Sequence, residues 1–126
     1  MVSEREKMLQ GELYDPSDPE LVADRRHARE LTAEYNGTAP GEDDRRTALL
    51  AELLGTAGEG ADVEPPFRCD YGYNVHVGAD FYANFDCVFL DVCRISIGDN
   101  CLLGPGVHVY TATHPREPEE RAEGLE

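Results

Sequence analysis

The chain has 126 residues, of which 40% are apolar, so it has room for one domain with a core of its own. A formal net charge of −15 makes nucleic acid a poor partner, because phosphate binding needs clusters of basic residues. No apolar run approaches the length of a membrane span, and the charged residues 1–7 differ from a secretory signal. A cytoplasmic protein with no membrane partner is therefore expected.

The composition of this charge is unusual, with ten Arg, a single Lys and 26 acidic residues. One hypothesis is a halophilic host with high internal salt, in which screening removes the self-repulsion of an acidic surface. The alternative is an ordinary acidic protein. Thermal unfolding in dilute and in molar KCl separates the two.

Residues 1–60 predict a helical segment. The cap residue Ser3 starts a short helix that runs to Gln10. Asp18-Pro19-Glu20 places an acidic cap before a proline, which starts a second helix, and Asn36-Gly37 ends it. A third helix is expected over residues 41–55, with its leucines buried. Each helix has a single apolar stripe, so we expect the three to form a cap docked on another element.

Residues 61–126 carry an apolar rhythm with a period of six, entered through the non-helical run Glu64-Pro-Pro-Phe67. Pairs of inward-type residues recur every six positions and slip once by two, as in Val75/Val77, Phe81/Ala83, Cys87/Phe89, Cys93/Ile95, Ile95/Ile97, Cys101/Leu103 and Val107/Val109. This period fits neither a single strand nor a helix, but it fits short strands joined by tight corners. The predicted fold is mainly β: a left-handed parallel β-helix preceded by the helical segment.

The four cysteines are expected to fill the core rather than to bind zinc. No Cys-x-x-Cys pair is present, although structural zinc sites normally contain one. Three of them, Cys87, Cys93 and Cys101, fall on inward positions of the rhythm, where a small apolar side chain packs well. His76 and His108 suggest a metal site together with His114, but their sequence surroundings do not match a known zinc β-helix, so no metal is expected.

Several motifs along nearly the whole chain resemble the maltose and galactoside O-acetyltransferases of the hexapeptide-repeat class. They include Glu64-Pro-Pro-Phe-Arg-Cys-Asp-Tyr-Gly-Tyr-Asn74, Tyr82-Ala-Asn-Phe-Asp-Cys87, Leu90-Asp-Val-Cys93 and Tyr110-Thr-Ala-Thr-His-Pro115. The resemblance implies an enzyme that transfers acetyl from acetyl-CoA directly to a hydroxyl of maltose, glucose or a related sugar. It also implies a homotrimer, with the active site between neighbouring subunits.

The same resemblance implies roles for three catalytic residues. His114 occupies the position of the general base, and its unperturbed pKa near ~6.5 keeps much of it neutral at pH 7. Asn84 matches the donor that stabilises the developing oxyanion and contacts the acetyl donor, although an asparagine there also suits a β-helix corner. Glu126 falls where a glutamate orients the histidine, but here it is the last residue of the chain.

Three further residues are candidates for the sugar site. Asp70 occupies a position where the family contacts the acceptor sugar, and Asp91 lies nearby in the motif. Either carboxylate suits sugar hydroxyls, and either equally suits a corner of the coil. Tyr82 is expected to line the sugar pocket, with the core as the alternative location for an aromatic side chain.

The chain departs from the family pattern at its end, because the family continues beyond the position of Glu126 with further coils. Those coils carry much of the acetyl-CoA groove and of the trimer interface. The sequence therefore leaves two functional classes open. One is an acetyl-CoA-dependent sugar O-acetyltransferase, and the other is a truncated, non-catalytic remnant that binds sugar or associates with full-length relatives.

Overall fold

The computed structural model describes residues 2–111, which form three helices followed by nine short strands. The helices are α1 Glu4–Leu9, α2 Pro19–Asn36 and α3 Asp43–Leu53. The strands are β1 Thr56–Ala57, β2 Asp62–Val63, β3 Phe67–Cys69, β4 Val75–Val77, β5 Tyr82–Ala83, β6 Cys87–Leu90, β7 Ile95–Ile97, β8 Leu102–Leu103 and β9 His108–Tyr110. No helix within this range is both long enough and apolar enough to cross a membrane.

The first two helices begin at the predicted caps. Ser3 Oγ accepts a hydrogen bond from the Glu6 N–H at 3.0 Å, and an Asp18 carboxylate oxygen accepts one from the Glu20 N–H at 3.1 Å. The cap position of α3 is Glu42, whose side chain makes no capping hydrogen bond to a backbone N–H of the helix. Its carboxylate instead accepts from the backbone of Ala39 at 2.7 Å, so this loop is closed before the helix starts.

The strands wind into a three-sided coil of parallel strands. Face A contains β1, β4 and β7, face B contains β2, β5 and β8, and face C contains β3, β6 and β9. Strand partners are always 20 residues apart, as for Thr56 with His76 and Tyr82 with Leu102. Each turn of the coil therefore uses 20 residues, and side chains in register stack on their counterparts above and below.

The slip in the six-residue rhythm has a structural cause. Equivalent positions lie six residues apart around the A–B and B–C corners, as from Thr56 to Asp62 and on to Arg68. Eight residues, however, separate Arg68 on face C from His76 on face A. The wide C–A corner thus adds two residues to every coil. The prediction that Cys93 points into the coil is wrong for this reason: it lies at that corner and packs against Tyr14 and Met8 of the helical segment.

The coil begins earlier than the predicted boundary at residue 61. Strand β1 already pairs with β4 on face A, so the first coil starts at Thr56. The run Glu64-Pro-Pro-Phe67 is therefore not a lead into the coil but its first B–C corner, with a cis peptide between Pro65 and Pro66. A two-residue strand is too short to show alternation, which explains why the sequence pattern did not reveal it.

The helical segment covers the first end of the coil. Tyr35 is fully buried, and its hydroxyl donates to the Val63 carbonyl oxygen at 2.6 Å. The Asn36 side chain accepts from the Phe67 N–H at 2.9 Å and donates to the Phe67 carbonyl oxygen at 3.0 Å, as a neighbouring strand would. Leucines of α2 and α3 pack on the same core. The predicted role of the helices as a docked cap is confirmed by these contacts.

Candidate active site

The B–C corner of the second coil carries Asn84 directly after β5. The Asn84 side-chain oxygen accepts a hydrogen bond from the Phe85 N–H at 2.8 Å, which fixes the orientation of the amide. No residue within the described range accepts a hydrogen bond from its Nδ2. The left-handed backbone that turns this corner belongs to Asp86, with φ 65°, and not to Asn84. The amide is therefore a held, half-exposed donor, a geometry suited to an oxyanion.

Tyr82 lies on the outside of face B, two residues before Asn84. It is partly exposed and stacks in register between Asp62 and Leu102. Partial burial, together with the nearby carboxylates of Glu64 and Asp62, raises the pKa of its hydroxyl. The alternative location for this aromatic, inside the core, is thus excluded, and the ring is available to line a pocket.

Asp91 lies at the C–A corner and is fully buried. One carboxylate oxygen accepts from the backbone N–H groups of Asp70 at 3.1 Å and Tyr71 at 2.9 Å, and the other accepts from Asn74 at 3.2 Å. The Asn74 side chain returns a bond of 2.7 Å to the Asp91 carbonyl oxygen. Asp91 therefore ties the corner of the first coil to the corner of the second.

The pKa of Asp91 is raised to about 6, mainly by burial and to a smaller extent by the nearby Asp70 carboxylate, whereas the bonds from backbone N–H groups act in the opposite direction. A side chain without exposed surface has no access to a sugar in solution. The expectation that Asp91 contacts the substrate is corrected accordingly, because the structure assigns it to the corner itself.

Asp70 is the half-buried neighbour that Asp91 holds. The Asp70 N–H donates to the Asp91 carboxylate at 3.1 Å and to the Phe89 carbonyl oxygen at 3.3 Å. Its backbone position is therefore fixed by the neighbouring coil. Of the two acidic candidates, Asp70 is partly exposed and Asp91 is buried, so Asp70 is the one whose side chain reaches the surface.

The described candidates thus form two groups at opposite ends of one strand. Tyr82 and Asn84 lie before β6, whereas Asp91 follows β6 and Asp70 follows its partner strand β3 at the same C–A corner. Strand β6 has four residues, which at about 3.3 Å each span roughly 13 Å. His114 and Glu126 lie outside the described residues. The last described residue is Thr111, and His114 comes three positions after it in the sequence.

Sequence reasoning missed the partners that hold the C–A corner. Arg25 donates to the Tyr71 hydroxyl at 2.8 Å and to the Pro16 carbonyl oxygen at 2.6 Å, which fastens α2 to this corner. Thr111, one coil beyond Asp91, accepts from the Cys93 N–H at 3.0 Å. The available signal was the 20-residue spacing from Asp91 to Thr111, which becomes visible only when the coil length is known.

Among the described residues, no group of three or more His, Cys, Asp or Glu side chains is arranged to hold a metal ion. His76 bonds Thr56 on face A at 2.8 Å, and His108 bonds the Tyr110 hydroxyl on face C at 2.6 Å. All four cysteines are unpaired thiols. Three of them, Cys69, Cys87 and Cys101, belong to or pack against the core of the coil.

Fold and site together define a capped parallel β-helix protein with polar corner residues. A family model described as "Maltose acetyltransferase hexapeptide capping motif" matches residues 7–58, which cover the end of α1, all of α2 and α3, and β1. Nodulation protein L of Rhizobium meliloti is 46% identical over 124 residues, which are 98% of this chain and 68% of that protein.

Solved structures agree with this match. A maltose O-acetyltransferase from Clostridium difficile superposes with a TM-score of 0.96 at 47% identity, over 98% of this chain and 66% of that one. A hexapeptide-repeat acetyltransferase from Vibrio cholerae, solved in complex with acetyl-CoA, superposes with a TM-score of 0.85 at 38% identity, over 96% of this chain and 65% of that one. This chain therefore belongs to the maltose/galactoside acetyltransferase family, and the left-handed β-helix predicted from the sequence is confirmed. It spans about two thirds of the length of these relatives.

Proposed function

We propose that this protein transfers acetyl from acetyl-CoA to a hydroxyl group of maltose, glucose or a related sugar. The observation that carries the proposal is the Asn84 amide, whose oxygen is held by the Phe85 N–H and whose Nδ2 is left to donate. Family membership supports the reaction class, because one similar structure is named a maltose O-acetyltransferase and another holds acetyl-CoA. Free cysteines fit a reducing compartment, so we place the protein in the cytoplasm.

The proposed chemistry is a direct transfer. Acetyl-CoA supplies an activated carbonyl carbon as a thioester. The sugar hydroxyl oxygen attacks that carbon while the neutral imidazole of His114 takes the hydroxyl proton. The carbon–sulfur bond then breaks, and the imidazolium gives the proton to the departing sulfur, so CoA leaves as a thiol and His114 is neutral again. Asn84 Nδ2 donates to the carbonyl oxygen as it gains negative charge, and Glu126 orients His114 and stabilises its charged form.

We further propose that the active site is shared between copies in a homotrimer. Asn84 lies at the B–C corner, whereas the chain reaches His114 only after β9, which ends face C at the other corner. The four residues of β6, the strand that pairs with β9, show that these corners are roughly 13 Å apart within one copy. Two copies placed side by side bring one corner of each kind together, as a cyclic assembly allows.

The sugar is proposed to lie between Asp70 of one copy and Tyr82 of its neighbour, because these residues lie at different corners of the coil within one copy. Asp70 is half-buried on a fixed backbone, and Tyr82 presents an outward-facing ring beside Asn84. A carboxylate accepts hydrogen bonds from sugar hydroxyls, and an aromatic ring provides an apolar face for a sugar ring.

A thiol-release assay with acetyl-CoA tests the proposal. We expect CoA release from the purified full chain that depends on added maltose or glucose and is lost in His114→Ala and Asn84→Ala. His108→Ala is the matched control, because His108 lies exposed on face C and bonds only Tyr110 in the described range. Sugar binding without any CoA release above the His114→Ala background contradicts the enzyme and supports the second candidate, a non-catalytic sugar-binding protein.

A further inference from the structure

Asp91 is a buried carboxylate that the proposed reaction does not use. It has no exposed surface, and its partners within residues 2–111 are backbone groups of the C–A corner rather than a side chain of opposite charge. Burying a carboxylate costs free energy, so its place next to a candidate sugar residue needs an explanation.

We propose that Asp91 is a positioning residue for the sugar site, which fixes the backbone of residues 70–74 and through it the place from which the Asp70 side chain reaches the acceptor. The proposal rests on the proposed function, because it assigns Asp91 to the same site. Asp91 itself touches neither sugar nor acetyl-CoA.

The contacts at this corner fix it from two sides. On the coil side, Asp91 accepts three backbone N–H groups, and the Asn74 side chain closes the loop on the Asp91 carbonyl oxygen. On the helical side, Arg25 donates to the Tyr71 hydroxyl, and Tyr73 donates to Asp24 at 2.8 Å. The peptide that carries Asp70 is at the start of this clamped segment and has Asp91 as a direct partner.

A second corner shows that holding the coil together does not require a buried charge. At the A–B corner, Asp99 accepts a hydrogen bond from the Ala79 N–H one coil above at 2.8 Å, and Asp99 is exposed. The chain thus ties two corners with the same kind of contact. Of these two corners, the one that carries Asp70 is tied by a carboxylate with no access to water, where hydrogen bonds hold the backbone most firmly.

The test compares Asp91→Asn with the matched control Asp99→Asn in steady-state assays on the full chain. Asparagine keeps the shape but offers one acceptor oxygen instead of two, and its amide group faces the Asn74 N–H as a second donor. We expect the KM for the sugar to rise roughly tenfold in Asp91→Asn, a change equivalent to about 1.4 kcal/mol. The KM for acetyl-CoA and kcat are expected to stay within about twofold, and Asp99→Asn is expected to match wild type in all three.

A double-mutant cycle separates positioning from a general loss of structure. If Asp91 acts through Asp70, Asp91→Asn adds little to the sugar KM once Asp70→Ala is present, so the two effects are not additive. Asn74→Ala removes the return bond but keeps the carboxylate, and it is expected to raise the sugar KM less than Asp91→Asn does. Circular dichroism of each variant confirms the fold before the assays.

The outcomes are distinct. An active wild type whose sugar KM is unchanged in Asp91→Asn, or effects of Asp91 and Asp70 that add fully, overturns the positioning role alone. Equal losses in kcat and in both KM values also overturn it, because they indicate a merely structural residue. If Asp91→Asn does not fold, the Asn74→Ala cycle with Asp70→Ala decides in the same way. Wild type that transfers acetyl to no sugar overturns the proposed function together with this inference.

Discussion

The two ends of the coil differ in how their core residues are covered. In the first coil, Val63 and Phe67 are each 1% exposed under the helical cap. Their register counterparts two coils later, Leu103 and Val107, are only partly buried. The same 20-residue unit therefore produces a closed core at one end of the described chain and a half-covered core at the other.

The comparison indicates that the burial of core residues in such a coil depends on what covers its end as well as on its own rhythm. The cap at the first coil provides both apolar cover from Tyr35 and backbone partners from Asn36. Both are needed, because the edge of a parallel sheet presents unpaired N–H and carbonyl groups as well as apolar side chains.

The largest expected effect concerns the corner that attaches the cap to the coil. Burial raises the pKa of Asp91 to about 6, above the value of ~3.9 in an unfolded chain. The folded protein therefore holds this proton more tightly, and the Asp91 contribution to the free energy of unfolding falls as the pH rises from about 4 to about 7. We expect the difference in unfolding free energy between wild type and Asp91→Asn to shift against wild type by roughly 3 kcal/mol over that window.

Urea unfolding at several pH values measures this shift. Asp99→Asn serves as the control, because Asp99 also accepts a backbone hydrogen bond at a corner but is exposed. A wild-type advantage over Asp91→Asn that grows with rising pH contradicts the assigned direction of the pKa.

Matched valines test the two ends directly. Val63→Ala is expected to lower the free energy of unfolding by about 2 kcal/mol, because the site under the cap has little room to collapse. Val109→Ala is expected to cost less than about 1 kcal/mol, since Val109 is only partly buried in the last described strand. Equal losses measured by chemical denaturation go against the difference between the ends.

The Asn36 side chain tests the backbone pairing at the closed end. Asn36→Ala leaves the N–H and carbonyl of Phe67 without this partner and is expected to cost roughly 1–2 kcal/mol. Asn36→Asp keeps the acceptor but loses the donor, so its cost is expected to be intermediate. Amide hydrogen exchange at Phe67 provides a local readout, and unchanged protection in Asn36→Ala contradicts the pairing.

Salt is expected to act more on the coil than on the cap. Residues 56–111 contain eight acidic and two basic residues, whereas residues 1–55 contain thirteen and seven, so acidic charge in the coil has fewer neighbours of opposite sign. If the protein is adapted to high salt, molar KCl stabilises it by about 1 kcal/mol or more through screening. Higher thermal stability in dilute buffer than in molar KCl contradicts adaptation to high salt.

Local signals predicted much of the fold from the sequence. The caps at Ser3 and Asp18 placed the first two helices, and the six-residue rhythm gave the coil and its parallel strands. Strand β1 escaped prediction because two residues carry no periodic signal. Cys93 was misplaced because the wide C–A corner breaks the period at the point where it lies.

The candidate site was less accessible to sequence reasoning. The bond between Asn36 and Phe67 joins residues 31 positions apart, and Asp91 contacts groups 17–21 positions away. These contacts between distant residues depend on the number of residues in one coil, and no single sequence motif reveals that number. The sequence left Asp91 open between a sugar contact and a corner residue, and its burial favours the corner.

The shared active site is tested most directly by mixing two inactive variants. His114→Ala and Asn84→Ala are each expected to abolish sugar-dependent CoA release. If one copy supplies His114 and its neighbour supplies Asn84, unfolding and refolding an equal mixture restores about a quarter of the wild-type activity, because random assembly pairs two intact residues at that fraction of sites. A refolded mixture that stays at the background of the separate variants, while refolded wild type is active, contradicts a site shared between copies.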